Sequence, residues 1–146
     1  MMDASEYRIW QRVQEGPRQE ALGEALYRMA LNSLRAMADY RRLYRRDRAQ
    51  GGQSARLLEQ WEGENLGCIR GLFFLTAGKP LRSGKQEPER HDPDGNLLYR
   101  RALEQLQEYT ALSAQPHFGV VFGEMARRQS RICETLVRNL GECSGQ

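Results

Sequence analysis

The run from Trp61 to Gly78 is the most apolar of the chain, and its spacing makes it a helix. Leu58, Trp61, Asn65, Ile69, Leu72 and Thr76 recur at steps of three and four, so they share one face. A helix with one greasy face is stable only when that face is buried, and no strand pattern elsewhere in the chain competes for it. Its neighbours must therefore be helices. Two polar residues interrupt the apolar surface: Asn65 lies in the middle of the face and Glu62 along its edge. Polar side chains one turn apart on a core-facing helix call for a chemical reason.

The flanking sequence supplies the partners. Residues 3–15 predict a short satellite helix, with Asp3 and Glu6 as a capping box, an apolar side of Ile9, Trp10 and Val13, and Gly16–Pro17 as its stop. A long helix is expected from Pro17 to about Arg48. Its inner stripe is Leu22, Leu26, Met29, Ser33, Ala36, Met37, Tyr40 and Tyr44, and its wet face is Arg28, Asn32, Arg35, Asp39, Arg42 and Arg46. The second long helix covers about Ser54 to Ala77 and is closed by Gly78 and Pro80. A third, to about Ala114, turns Tyr99, Ala102, Leu103, Leu106, Tyr109, Thr110 and Ser113 inward. The fourth, from about His117 to Leu140, buries Phe118, Val121, Phe122, Met125, Gln129, Ile132, Cys133, Leu136 and Leu140. Gly141 is expected to end it.

Connection lengths decide the topology. Gln50–Gln53 and the turn around Pro116 are short, which makes each flanking pair of helices antiparallel neighbours. Residues 78–94 are Gly-, Pro- and charge-rich and have no periodicity. Such a segment, about 17 residues at about 3.3 Å each, reaches over ~50 Å. The preceding helix, about 24 residues at about 1.5 Å rise, is roughly 36 Å long. The link can therefore run the full length of a bundle. The expected architecture is all-α and a single domain, 1–146. It holds a satellite helix (3–15), a first hairpin (17–77), a crossover (78–94), a second hairpin (95–140) and a frayed tail (141–146).

The two hairpins echo each other. Tyr40 and Tyr109 hold matching places, seven residues after Ser33 and Ala102, while Glu62 and Asn65 match Gln129 and Ile132. With Glu62-Gly63-Glu64-Asn65 leading into the apolar run to Thr76-Ala77-Gly78, this layout resembles the ferritin-like superfamily, and within it small rubrerythrin-like proteins. The resemblance covers about Ala21 to Leu140. It implies a four-helix bundle in which a Glu from the first and third helices and a Glu-x-x-His from the second and fourth bridge two irons. Carried over position by position, those ligand sites fall on Ser33, on Glu62 and Asn65, on Ala102 (or Gln105 if the register slips), and on Gln129 and Ile132. Only Glu62 keeps a ligand chemistry. Two adjacent hard cations need several carboxylates to coordinate them and balance their charge. The expectation is therefore a non-catalytic bundle without metal or cofactor, in which Ser33, Glu62, Asn65 and Gln129 form a buried hydrogen-bonded cluster. Glu62 would then be desolvated and its pKa raised. The alternative is a di-iron oxidoreductase or peroxidase with ligands in another register. Glu24, Glu59, Glu64, Glu104, Glu108, Glu124 and Glu134 are all helical, but most fall off the inner stripes.

Other features narrow the function. No apolar run approaches the roughly 20 residues of a membrane span, and the acidic start, Met1 to Glu6, has no hydrophobic signal region, so a cytoplasmic protein is expected. Three cysteines, Cys68, Cys133 and Cys143, are too few and scattered for a disulfide framework or a zinc site. Net charge is a mild +3. Arg41, Arg42, Arg45, Arg46 and Arg48 cluster at a helix C-terminus, where cations suit the dipole, and no recognition motif accompanies them, so nucleic-acid binding is not expected. His91 with Glu89, Asp92 and Asp94 reads as a solvated loop rather than a metal site. Gly63, Gly67 and Gly71 recur every four residues beside Phe74, on the side away from the bundle centre. Each interior glycine costs about 1 kcal/mol relative to alanine, so a closely packed contact is expected there: the satellite helix at 3–15, the crossover, or a second copy in a homodimer.

Overall fold

The computed structural model describes the backbone of residues 4–46, 52–82 and 95–144, and the side chains of 20–43, 53–82 and 95–138. The described chain is all-helical: α1 (Ala4–Arg46), α2 (Gly52–Ala77), α3 (Gly95–Leu112) and α4 (Gly119–Ser144), with no strand among the described residues. None of the described helices is long and apolar enough to cross a membrane. Helix α1 packs on α2, α3 on α4, and α2 on α4, so two hairpins join through their second members. Most of the segment between the hairpins, 83–94, lies outside the described residues, and with it the expected crossover path and the His91 cluster.

Two helix-stop expectations need correction. Helix α1 passes through Gly16–Pro17 in one piece of 43 residues, so no separate helix forms at 3–15. A proline inside a helix forfeits one backbone bond and bends the axis; it does not stop a helix that continues well on both sides. Likewise α4 runs through Gly141 to Ser144, replacing the expected tail from 141. One interior glycine costs about 1 kcal/mol, which is less than the packed turns before it contribute.

The helix ends that hold use backbone chemistry. Gly78 has φ 73° and its N–H donates to the Phe74 carbonyl at 2.9 Å, the left-handed cap that glycine adopts without strain. Between α3 and α4 the turn tightens. The Ser113 N–H donates to Tyr109 O at 2.9 Å, and the Gln115 N–H to Leu112 O at 3.0 Å.

The core has three levels. One apolar cluster gathers Leu26, Met29, Ala30, Leu66, Ile69, Leu72, Tyr109, Phe122 and Met125. A second gathers Tyr40, Leu58, Leu98, Ala102, Ile132, Cys133 and Leu136. On every helix the residues between these two sets include a buried polar one: Ser33, Glu62 with Asn65, Gln105, and Gln129. Full burial of each large aliphatic residue stabilises the fold by about 1.5–3 kcal/mol, so the polar level is clamped from above and below.

The α3–α4 turn yields a test. A Cβ at Gly119 would overlap the Ser113 carbonyl oxygen, a backbone atom that cannot swing aside. Gly119→Ala is therefore expected to destabilise the protein by about 1–3 kcal/mol, measured as a lowered urea midpoint. An unchanged midpoint would show that this turn has slack.

Candidate functional site

The polar level is built from all four helices. Ser33 Oγ on α1 donates to Glu62 Oε1 on α2 at 2.7 Å. Gln105 Nε2 on α3 donates to the same oxygen at 3.0 Å. Gln129 on α4 continues the chain: its Nε2 donates to Gln105 Oε1 and to the Ala102 carbonyl, each at 3.2 Å. Asn65 closes it, with Nδ2 donating to Gln129 Oε1 at 3.3 Å and to the Met125 carbonyl at 3.2 Å. At the edge, Arg128 reaches Asn65 Oδ1 at 3.4 Å and Glu64 at 3.2 Å. Amides suit this place because each carries both donors and an acceptor and can relay a bond from one helix to the next.

Glu62 is the electrostatic centre of the cluster. It is fully buried, and burial pushes its carboxyl up from 4.5 to about 7, against the lesser pull of the Ser33 and Gln105 bonds, which favour the charged form. Its second oxygen, Oε2, accepts no hydrogen bond from a described residue. The buried Tyr109 hydroxyl is also without a hydrogen bond among the described residues, although Ser33 and Gln105 lie near enough to favour its ionised form slightly. Burial first, and the nearby Glu62 second, raise Tyr40, Tyr109 and Cys133, the thiol to about 11. All three stay neutral around pH 7, so among the described residues of this level Glu62 is the group whose charge changes there.

Each residue singled out in the sequence can now be placed. Ser33, Glu62, Asn65 and Gln129 meet in one network, and Glu62 is buried rather than turned along the helix edge. Ala102 contributes its carbonyl, and Ile132 packs in the apolar cluster beyond. Gln105, which the inner stripe of the third helix left out, is the side chain that bridges α2 and α4. The buried row on α3 is Leu98, Ala102, Gln105 and Tyr109, one position round from the row that hydrophobicity selects. Asp39, expected on the wet face, is 1% exposed and receives Arg101 at 3.5 Å. The seven glutamates of the alternative register all lie outside the buried class, with Glu59, Glu64 and Glu108 in ion pairs with Arg41, Arg128 and Arg28.

The glycine row resolves into two parts. A Cβ at Gly63 would sit 3.4 Å from Met37 Cε, so the neighbour there is the Met37 stretch of α1, which is not among the expected candidates. At Gly67 and Gly71 nothing lies within 4 Å, and the neighbouring Phe74 is 54% exposed. The close approach expected along the whole row is thus confined, among the described residues, to its first glycine. Cys68 and Cys133 are free thiols, and Cys68 is contacted by Arg128. Of the arginine cluster, Arg41 pairs with Glu59, while the side chains of Arg45, Arg46 and Arg48 fall outside the described residues.

No protein-family model, curated protein or solved structure matches this chain.

The raised Glu62 carboxyl sets a pH dependence with a definite sign. Between about 4.5 and about 7 the unfolded chain has released this proton and the folded chain has kept it, so stability falls as pH rises. The contribution is complete below about 4.5 and gone above about 7; the shift corresponds to about 3 kcal/mol. Urea unfolding of the wild type and of Glu62→Gln across this range should diverge by that order. Parallel profiles would mean that Glu62 is solvated.

Proposed function

We propose that this chain is a ferritin-like bundle of the rubrerythrin-like kind whose di-metal centre has been replaced by a hydrogen-bonded polar level, and that it works without catalysis, as an interaction or assembly module. The observation that carries this reading is the makeup of the bonded network: one carboxylate, two glutamines, one asparagine and one serine, while Asp39, the other buried carboxylate among the described residues, is paired with Arg101. A pair of divalent ions needs several anionic oxygens. Here the lone carboxylate has one oxygen already occupied by Ser33 and Gln105, and the amide nitrogens point donors inward, where a cation needs lone pairs. These residues do not fit a di-iron group.

Two short-linked helix pairs, joined through α2 and α4, support the bundle part of the reading. The outer side of α2 supports the interaction part. Gly67 and Gly71 leave a flat strip, and Phe74 and Leu75, 54% and 70% exposed, stand at its end. The partner we assign to this strip is a second copy of the chain.

Protein produced with added iron and manganese is expected to carry either metal far below stoichiometry. Near-stoichiometric metal would overturn the reading and revive the oxidoreductase alternative. Light scattering is expected to give twice the chain mass, reduced to the monomer by Phe74→Glu; a monomeric wild type would remove the self-association.

A further inference from the structure

Helices α1 and α3 face each other across a cleft rather than a packed seam. The cleft has a volume of about 240 Å³. Ala36 on α1 and Ala102 on α3 open it, since neither side chain reaches across. An ion pair closes each end: Arg28 grips Glu108 through two bonds of 2.7 and 3.0 Å, and Arg101 meets Asp39.

Between these pairs the walls carry one charge each that no described residue neutralises. Arg35 projects from α1 and Glu104 from α3, both exposed and both lining the cleft without an ion pair. The floor carries a third polar group. Tyr40 is 1% exposed and lines the same space.

The chemistry of an occupant follows from these three groups. The paired arginines and acids cancel, leaving one positive and one negative wall, so a ligand of net charge would leave one wall unmatched. The volume is below the roughly 300–1,000 Å³ of drug-sized sites, so the ligand is small. We propose that this cleft binds a small zwitterion of the amino-acid class, its carboxylate on Arg35, its ammonium on Glu104 and a polar atom within reach of the Tyr40 hydroxyl. Guanidinium and carboxylate each make charge-assisted bonds to such groups, and the planar fork of Arg35 suits a carboxylate. Gln105 and Ala102 belong to both the cleft wall and the polar level, but Arg35 and Glu104 take no part in the network, so the proposal does not depend on that level being free of metal.

The test is an NMR titration of the full chain with each L-amino acid at millimolar concentration, with acetate and methylammonium as single-charge controls. At least one amino acid should shift the amides of 32–40 and 101–108, and neither control should. Arg35→Ala and Glu104→Ala should each weaken binding about tenfold, the worth of one charge-assisted bond. Tyr40→Phe should weaken it less, and both surface variants should keep the helical content of the wild type. Silence from all the amino acids would overturn the proposal. So would binding that survives both surface variants, or acetate binding as well as any amino acid, which would mark a simple anion site on Arg35.

Discussion

A carboxyl group placed at the middle of four helices is the constraint around which the bundle is arranged. Glu62 is fully buried, and a charged or half-bonded carboxyl in such a place is destabilising unless donors reach it. Ser33 and Gln105 supply them from two other helices, and Gln105 is itself held by Gln129, which Asn65 completes. Because every helix contributes to this level, sliding any one of them by a turn would set an amide against leucines and leave partners unpaired. The network is thus a register device, while the apolar clusters on either side supply most of the burial.

That division of labour explains the unequal seams. Helices α2 and α4 are bonded directly through Asn65 and Gln129, and they pack on each other. Helices α1 and α3 meet through long side chains, with alanines at the closest level. The Arg28–Glu108 pair is solvent-exposed, and such pairs add at most about 1 kcal/mol each. The α1–α3 side is therefore held mainly by each helix's own hairpin partner, and it is the side on which space remains for a ligand.

The helices were legible because their signals are local. Steps of three and four in the apolar run, Gly78 before Pro80, and a short polar turn between long stripes act within a few residues of themselves. The breakers at Gly16–Pro17 and Gly141 misled for the converse reason: a local penalty of a few kcal/mol does not decide an end when helix continues on both sides. Ser33, Glu62, Asn65 and Gln129 stood out as polar residues on greasy stripes, and these are the ones that found one another. Gln105 stood out only as a slipped-register alternative to Ala102, and Asp39 did not stand out. Leu103 and Leu106 pull the apparent apolar stripe of α3 one position round, and Asp39 sits among arginines that read as a wet face.

What the sequence alone determined was the set of rods and the apolar side of most of them, because helix periodicity is written in consecutive residues. Which polar side chains lie inside was decided only by the tertiary structure. A glutamine or an aspartate is buried when another helix brings it a partner, as Gln129 does for Gln105 and Arg101 for Asp39. Those partners lie 24 and 62 residues away along the chain, beyond the reach of any periodicity.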